Sequence, residues 1–482
     1  MNLRPLDLIV FIIYMGGIVV LGTSFYFKSR SSIAYTTGGG RLPAWALGMS
    51  IFATFVSSIS FLALPGKAYQ ANWNSFAFSL SIPFATWIAA KYFVPLFRSI
   101  NSVSAYAYLE TRFGLWARLY ASSCYLLTQL ARTGSILFLL ALPLNALLGW
   151  NIGAIIIITG FLVMLYSMAG GIQAVVWTDT VQGFVLIVGA LACLLILALS
   201  VPGGLSQSID IAVANDKFSL GSFDFDWSTS TFWVVLIYGL FINLQNFGID
   251  QNYVQRYITA RTDQEAKIST WLGGLLYVPV SLLFFLIGTF LFTYYQAHPG
   301  DLPAELQQPE MADRVFPYFI VNVLPPGFTG LVIASIFAAG MSTVSTSLNS
   351  GAAVVLTDFY QRFRGNAVSE KQSMRVLYIS SAAIAVTGIV VALAMTEVRS
   401  ALDAWWALSS IFSGGMLGLF LLGYISKNAT SMHAAIGAVG GIVVISWISL
   451  FPTPLHTNLA IVAGTASIFI IGFSLGMLLK RK

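Results

Sequence analysis

Hydroxyl side chains crowd one apolar segment of this 482-residue chain, at a depth where a membrane-spanning helix would carry hydrocarbon. The segment SIFAAGMSTVSTSLNS, residues 335–350, holds seven Ser or Thr residues and one Asn. On a helix, one face collects residues three and four positions apart. Close helix packing explains the small residues before position 342, whereas five hydroxyls within 342–347 favour a wall of oxygen ligands for sodium. The shared face consists of Ala339, Ser342, Thr343 and Thr346, with Ser345 beside it.

A second apolar segment is interrupted by serines. IFATFVSSISFLALPG, residues 51–66, carries Ser57, Ser58 and Ser60 at its centre. Transporters place their sites near the membrane midplane, where a helix is interrupted and its freed carbonyls can bind a cation. The serines therefore predict a broken helix beside a site. A third segment, LFINLQNFGID, has polar side chains at similar depth, namely Asn243, Gln245 and Asn246.

Two charged residues lie where burial is costly. Arg132 follows Arg118 by fourteen residues, which places it roughly 21 Å into its helix. Its guanidinium requires either an internal carbonyl or acid, or the carboxylate of a substrate. Asp179, near the predicted start of a later helix, either caps that helix or ligates a cation. Lys91, by contrast, is seven residues from Arg98 and can snorkel to the interface.

The composition is that of a polytopic, all-α integral membrane protein. Hydrophobic residues make up 57% of the chain and charged residues 9%, against about a quarter charged in soluble domains. Thirteen apolar runs are long enough to cross the membrane as helices, for which about 20 residues are needed. They are residues 7–27, 45–64, 76–97, 120–149, 152–168, 176–200, 229–253, 271–295, 327–356, 374–396, 402–425, 432–452 and 457–478.

The distribution of basic residues indicates the topology. If the first loop is cytoplasmic, 17 of the 24 Lys and Arg residues fall in loops on that side. The positive-inside rule then places the N-terminus outside and the C-terminus on the cytoplasmic side of the membrane. We expect this membrane to be the cell inner membrane. The net charge of +6 therefore reflects topology, and we expect no nucleic-acid partner. The cytoplasmic residues are Lys28, Arg30, Arg41, Arg98, Arg112, Arg118, Arg256, Arg261, Lys267, Arg362, Arg364, Lys371, Arg375, Lys427, Lys480, Arg481 and Lys482.

The thirteen runs divide into two blocks of five with additions at both ends. Each block begins with a polar-interrupted helix, and the hydroxyl-rich helix is the third of the second block, as in inverted-repeat transporters. The expected units are an N-terminal extra helix with a cytoplasmic loop (1–44), a first repeat (45–200), an outside loop (201–228), a second repeat (229–425) and two C-terminal helices with a basic tail (426–482).

Four stretches of the chain resemble the successive signatures of the sodium/solute symporter family, and they occur in the family's order. They are GGGRLPAWALGMSIFATFVSSISFLALPGKAY, MAGGIQAVVWTDTVQG, NLQNFGIDQNYVQRY and SIFAAGMSTVSTSLNS. Within the family the chain is most similar to bacterial sodium/sialic acid symporters. The resemblance implies a leucine-transporter-like five-plus-five inverted repeat, with one extra helix before it and two after.

The resemblance also implies that one or two sodium ions accompany the substrate. The first sodium site would be formed by Ala53, Val56, Ala339, Ser342 and Thr343. The second site, found in the sialic acid branch, would be formed by Asp179, Ser342, Ser345 and Thr346.

The implied substrate pocket lies between the broken second helix and helices three, four and seven. Arg132 matches an arginine that holds the substrate carboxylate in sialic acid symporters. The chain departs from that branch at Phe55, where the branch has threonine, and at Ser79, where it has glutamine, and both changes reshape the pocket. The other implied contacts are Ser57, Ser60, Asn243 and Asn246.

The sequence therefore favours a sodium-driven symporter that imports an acidic sugar by alternating access and works as a monomer in lipid. A neutral sugar or polyol, with Arg132 in an internal pair, or another organic acid are alternatives within the same class. An uncoupled channel or sensor is the alternative from another class. No Ser–His–Asp set, metal cluster or phosphate loop occurs at membrane depth, so we do not expect an enzyme.

Overall fold

The apolar runs of the sequence form long helices. The computed structural model describes residues 4–100, 102–308, 311–365, 368–397 and 414–478, and within these ranges the chain forms helices and no extended sheet. The α-helices are α1 Pro5–Thr23, α2 Ser32–Thr37, α3 Ala44–Phe55, α4 Ser58–Gln70, α5 Phe76–Leu80, α6 Ile82–Ile88, α7 Val94–Ser99, α8 Ala107–Phe113, α9 Leu115–Leu148, α10 Ile152–Ser200, α11 Gly204–Ala214, α12 Phe232–Ile249, α13 Gln251–Thr259, α14 Asp263–Ala297, α15 Ala312–Asn322, α16 Phe328–Val354, α17 Gln361–Arg364, α18 Glu370–Glu397, α19 Met416–Ile425, α20 Ser431–Leu450 and α21 Leu459–Leu478.

Ten of the described helical runs are long and apolar enough to cross a membrane, and the bent pair α3 and α4 makes an eleventh. α10 has 49 residues, and a continuous helix of that length would be more than twice as long as the ~30 Å hydrocarbon core is thick. Gly171 divides it, because its φ of 55° and ψ of −151° are not helical. The predicted spans 152–168 and 176–200 are therefore two helices meeting at this glycine.

The predicted eleventh span, 402–425, is described only in its last part, as α19. Residues 398–413 lie outside the described ranges. Each of the other predicted spans coincides with a helix, a run of consecutive helices or half of α10, so the all-helical architecture expected from hydropathy is confirmed.

The first helix of each predicted repeat is broken. α3 and α4 meet at an angle of 55°, and Val56 and Ser57 between them have extended backbone. α12 and α13 meet at Asp250, which is also extended, with φ −72° and ψ 128°. Both breaks lie where the sequence places polar residues inside an apolar run. The peptide groups that no longer bond along the helix there are free to bind other groups.

The two predicted repeats pack against each other in a crosswise pattern. α3 of the first repeat packs on α14, the second helix of the other repeat, and α12 packs on α5 and α6, the second span of the first repeat. Both contacts are close approaches at glycine: Gly273 lies against Ile51, and Gly239 lies against the backbone of Phe78. α9 likewise packs on α18, while α16 packs on α10. This reciprocity is what an inverted repeat produces, whereas the residue boundaries of the repeats remain a prediction.

The connecting segments alternate between two ends of the bundle. At the end predicted to be cytoplasmic, Arg118 pairs with Asp358 and Glu110, and Arg362 also pairs with Glu110. The hydrogen bond from Arg362 is the main reason that the pKa of Glu110 lies below its usual range. At the opposite end, Asp7 accepts hydrogen bonds from the first amides of α16, those of Gly327 and Gly330. The alternation agrees with the predicted order of loops.

Candidate ion and substrate site

The break between α3 and α4 frees backbone carbonyls in the middle of the bundle. The carbonyl of Ala53 accepts a hydrogen bond of 2.8 Å from Ser342 Oγ. The carbonyl of Thr54, one residue on, accepts a bond of 3.4 Å from Arg132 Nη2. Val56 ends α3 in extended conformation and is fully buried. The broken helix therefore offers oxygen atoms to α16 on one side and to a guanidinium on the other.

The hydroxyl face of α16 meets these carbonyls. Ser342 Oγ lies 2.8 Å from the oxygen of Ala53 and 3.1 Å from that of Ala339, while Thr343 Oγ1 also lies 3.1 Å from the oxygen of Ala339. All four residues are buried. Neutral oxygens gathered in this way fit a hard monovalent cation. The structure thus brings together four of the five residues predicted for the first sodium site, with Val56 next to them at the break.

Asp179 is placed beside the hydroxyl face and does not cap a helix. It lies eight residues into the half of α10 that begins after Gly171, and it is fully buried, so the capping interpretation is wrong. Its Oδ2 accepts hydrogen bonds from Ser50 Oγ at 2.6 Å and from Arg256 Nη2 at 2.8 Å. Its Oδ1 is buried without a hydrogen-bond partner among the described residues. An unbonded carboxylate oxygen in the interior is a natural ligand for a cation.

Ser345 and Thr346 complete the second predicted set. Ser345 Oγ donates to the carbonyl of Ser342 at 3.0 Å. Thr346 Oγ1 lies 3.2 Å from Thr54 Oγ1 and accepts a bond of 2.7 Å from Arg256. The second set thus lies directly beside the first one and shares Ser342 with it, as the resemblance implied.

Arg256 was expected in a cytoplasmic loop, and that prediction is wrong. The side chain is completely buried within α13, where it binds Asp179, Thr346 and Ser50. The count of basic residues by loop assigned Arg256 to a loop, because α13 is polar and only nine residues long and so does not stand out as an apolar run. The signal that could have found it is spacing, since polar side chains at 251, 252, 255 and 256 share one helical face.

Arg132 is part of α9 and lies next to the break between α3 and α4. It is partly exposed, although its neighbours in the sequence are buried. Among the described residues no carboxylate lies within 4.0 Å of its guanidinium, so it makes no internal ion pair. It interacts electrostatically with Asp250, an acid at the second break that the sequence reading did not single out. Asp250 Oδ1 is occupied by the amide of Asn252 at 2.7 Å. The guanidinium also interacts with the side chain of Tyr253. Because a guanidinium has five N–H donors, donors remain for a substrate carboxylate.

The other predicted substrate contacts divide into two groups. Ser57 and Ser60 lie at the first break, and Asn246 is partly exposed in α12. Ser79 and Asn243, by contrast, are bonded to neighbouring helices. Ser79 Oγ lies 2.7 Å from Ser281 Oγ, and Asn243 Nδ2 donates to Ser81 Oγ at 2.9 Å. The structure therefore groups Arg132, Ser57, Ser60 and Asn246 around the breaks, while Ser79 and Asn243 make helix–helix contacts.

Phe55 forms an apolar wall at the first break. Its ring stacks on Phe247 with centroids 5.3 Å apart and meets the edge of Tyr277 at 4.5 Å. Tyr253 lies 6.3 Å away on the same side. Where the resemblance implies a threonine in the sialic acid branch, this chain therefore has a cluster of four aromatic rings.

A bundle of membrane-spanning helices with two broken helices, whose freed carbonyls meet a buried hydroxyl face, is the arrangement of a secondary transporter with a central ion and substrate site. A sequence model of the sodium:solute symporter family matches residues 35–441. The chain belongs to this family.

Individual proteins agree with that assignment. The chain is 33% identical to the sodium/sialic acid symporter NanT of Aliivibrio fischeri, over 99% of this chain and 94% of that protein. It is 35% identical to the sodium/sialic acid symporter SiaT of Proteus mirabilis, over 90% of this chain and 87% of that protein.

Solved structures show the same fold. A substrate-bound, outward-open Na⁺-coupled sialic acid symporter, described as having a novel Na⁺ site, superposes with a TM-score of 0.94 at 32% identity, over 99% of this chain and 98% of that one. The nucleobase–cation symporter Mhp1 in a closed conformation has a TM-score of 0.60 at 16% identity, over 93% of this chain and 94% of that one. The chain therefore has the leucine-transporter-like fold predicted from its sequence.

Proposed function

We propose that this chain imports sialic acid, or a closely similar carboxylate-bearing sugar, together with sodium across the cell inner membrane. The named relatives transport sialic acid with sodium, and the described part of the site has the groups that such a substrate requires. The observation that carries the proposal is Arg132, a partly exposed guanidinium at the helix break that has no carboxylate within 4.0 Å in the described part of the chain.

Arg132 would hold the carboxylate of the sugar. Two parallel N–H donors of a guanidinium match the two oxygens of a carboxylate, and such a bond is strong in a site shielded from water. Ser57, Ser60 and Asn246 lie near the same breaks and would bond to hydroxyls of the sugar. Asp250, which faces Arg132, would disfavour a substrate with a second negative charge nearby.

The coupling between ion and sugar follows from the shared broken helix. Ala53 and Thr54 are consecutive residues, and their carbonyls face the sodium set and Arg132 respectively. Sodium at the first set would fix the break in the conformation that presents Arg132 to the sugar. Each ligand then raises the affinity for the other by the same factor. Alternating access would follow from one helix bundle rocking against the other.

The topology belongs to the proposal as well. The N-terminus would lie outside the cell and the C-terminus in the cytoplasm, and one chain would suffice for transport because the described site is built from a single chain.

Uptake by proteoliposomes tests the role of Arg132. We expect Arg132→Gln to raise the KM for sialic acid about 100-fold, because a buried charge-assisted pair is lost. Arg132→Lys keeps the charge without the fork and should recover only part of the affinity. A neutral amide analogue of sialic acid should inhibit wild type and Arg132→Gln equally. If the variant weakens the acid and the amide by the same factor, Arg132 is structural and does not bind substrate.

A smaller organic acid is a second candidate, favoured by the aromatic wall around Phe55. The ring fills space that the sialic acid branch leaves to a threonine. Competition by a three-carbon 2-keto acid against labelled sialic acid distinguishes the two. Stronger competition by the small acid than by unlabelled sialic acid would favour this candidate, and Phe55→Thr should then shift the preference toward the larger sugar.

A further inference from the structure

α13 is a short helix with an entirely buried polar face. Gln251, Asn252, Gln255 and Arg256 recur at spacings of one and four, share one side of the helix and have no exposed surface. We call these four side chains the latch face. Polar groups are buried in this number only where they are bonded to partners, because each unbonded group would cost about 1–3 kcal/mol.

The amide side chains of the latch face bond to several other parts of the chain. Gln251 binds the segment before α8, Asn252 binds α9, and Gln255 binds α16 and α2. The contacts are Gln251 Nε2 to the carbonyl of Val103 at 2.7 Å, the amide of Ala105 to Gln251 Oε1 at 2.8 Å, Tyr125 Oη to Asn252 Oδ1 at 2.7 Å, Gln255 Nε2 to the carbonyl of Thr36 at 2.8 Å and to Asn349 Oδ1 at 2.9 Å, and Ser350 Oγ to Gln255 Oε1 at 2.6 Å. These bonds hold α13 closed against the rest of the bundle.

Arg256 connects the latch face to the second candidate ion set. One nitrogen, Nη2, reaches both Asp179 Oδ2 at 2.8 Å and Thr346 Oγ1 at 2.7 Å. Its Nε donates to Ser50 Oγ at 2.7 Å, and that hydroxyl donates to the same Asp179 oxygen. Two donors therefore converge on Oδ2 and fix the rotation of the carboxylate. The other oxygen, Oδ1, stays buried and unbonded among the described residues.

We infer that Arg256 positions Asp179 for the second sodium ion and thereby couples occupancy of that ion to closure of α13. This inference rests on the proposed function, because it assigns a regulatory role to a residue beside the proposed sodium ligands. Arg256 is not a sodium ligand, since it is itself a cation. It acts through Asp179 Oδ2 and leaves Oδ1 for the ion.

The direction of the coupling follows from the geometry. Asp179 presents Oδ1 only while Arg256 holds Oδ2, and Arg256 reaches Oδ2 only while α13 is closed. Sodium therefore binds the closed arrangement better than the open one, and its binding shifts the population toward closure. The guanidinium repels the ion, since its Nη2 lies 2.7 Å from Thr346 Oγ1, another oxygen of the second set. It stays behind the oxygens Oδ2 and Oγ1, however, whereas Oδ1 would contact the ion directly, so attraction at the shorter distance exceeds repulsion.

Sodium titration of uptake tests the positioning role. Wild type should show a Hill coefficient for sodium above one, and Arg256→Gln should lower it to one, because only the first set remains. Arg256→Lys retains the charge but loses the two-pronged contact, and should give the same loss. Arg261→Gln is the matched control and should leave the coefficient unchanged, because this arginine is exposed and donates to the carbonyl of Arg41, away from both ion sets.

A double variant without either charge shows whether misfolding explains the effect of Arg256→Gln. Arg256→Gln alone leaves Asp179 without its partner, which is destabilising for a buried charge. Asp179→Asn combined with Arg256→Gln replaces the ion pair by an amide pair of similar shape. This protein should fold, transport with a Hill coefficient of one and elute as wild type does.

Closure of α13 can be measured by cysteine alkylation, without a transport assay. Val254 is buried in α13 and makes no side-chain hydrogen bond, so a cysteine introduced there (Val254→Cys) reports opening. Cys124 and Cys193 are replaced by alanine beforehand. Sodium should slow alkylation of position 254 several-fold when Arg256 is present and should have no effect in the neutral double variant.

The outcomes separate this inference from the proposed function. Wild type without sodium-stimulated uptake of sialic acid contradicts the proposed function, and the alkylation assay still tests the coupling. Sodium-dependent uptake with a wild-type Hill coefficient of one overturns the inference alone. So does an unchanged coefficient, or unchanged sodium protection, in either neutralised variant.

Discussion

The two candidate ion sets lie side by side but are built from different chemistry. The first consists of neutral oxygens, the carbonyls of Ala53 and Ala339 and the hydroxyls of Ser342 and Thr343. The second has a carboxylate, Asp179, whose negative charge is already balanced by a buried arginine.

That difference determines what else each set is connected to. Neutral oxygens are satisfied locally by a hydroxyl and a carbonyl, so the first set involves only the broken helix and α16. A buried carboxylate needs a positive partner, because an unpaired charge in the interior is very costly. Arg256 provides it from α13, so the second set depends on how a further helix packs against α10 and α16. Under the inference above, a charge at the ion site is what would couple that site to a movement of α13.

Removing the residue common to both predicted sets should have the largest effect. Ser342→Ala deletes a hydroxyl that lies 2.8 Å from the oxygen of Ala53. We expect the sodium concentration for half-maximal uptake to rise about 100-fold, because both ions lose a ligand. The measurement is sodium-dependent uptake of labelled sialic acid by proteoliposomes.

Ser347→Ala is the matched control for this prediction. Ser347 lies on the same helix but belongs to neither set, and its hydroxyl bonds to Gln129 and to the backbone carbonyl of Thr343, not to the Thr343 hydroxyl. It should change the half-maximal sodium concentration less than twofold. Equal effects of the two substitutions would show that Ser342 contributes only packing.

Single substitutions of residues that belong to only one set should separate the two sets. Thr343→Ala affects the first set, so the half-maximal sodium concentration should rise about tenfold and the KM for sialic acid should rise with it, because this set adjoins the substrate break. Ser345→Ala affects the second set, so it should lower the Hill coefficient while the KM at saturating sodium stays constant. If both variants raise the KM alike, the two sets are not distinct.

The hydroxyl face and the helix break that carry the neutral set could be predicted from the sequence, because both depend on local patterns. Hydroxyls at helical spacing within an apolar run identified the face of α16, and serines within another run identified the break. Both features are encoded within about ten residues of chain. The break between α3 and α4 followed in the same way, from serines within an apolar run, whereas the all-helical architecture followed from the hydropathy of the runs themselves.

Only one residue of the buried ion pair at the charged set could be predicted from the sequence. Asp179 was found as an acid at membrane depth, but its partner Arg256 is 77 residues away in sequence, and the pairing depends on how α13 packs against α10 and α16. Asp250 was missed for the same reason, since an acid at the end of an apolar run resembles an interfacial residue until the break is seen. Pairing across helices is tertiary information that spacing along one helix does not contain.

The smallest expected effect is a pH dependence of folding stability that should leave sodium binding at both ion sets unchanged. Lys217, in the loop after α11, donates to the carbonyls of Tyr69 and Ala71 at 2.7 and 2.9 Å and lies 3.8 Å from the centre of the Phe292 ring. Burial lowers the pKa of this lysine from 10.5 to about 8. Between these two values the unfolded chain binds a proton that the folded chain does not, so stability should rise as the pH rises from about 8 toward 10.

The melting temperature of wild type should therefore rise by roughly 1–3 °C relative to that of Lys217→Met between pH 7.5 and 9.5. The Hill coefficient for sodium should stay constant over the same range in both proteins, because Lys217 lies in the loop after α11 and belongs to neither ion set. A Hill coefficient that changes with pH in Lys217→Met as well would place a titrating group inside the ion sets, and the contrast between a neutral set and one with a buried ion pair would then fail.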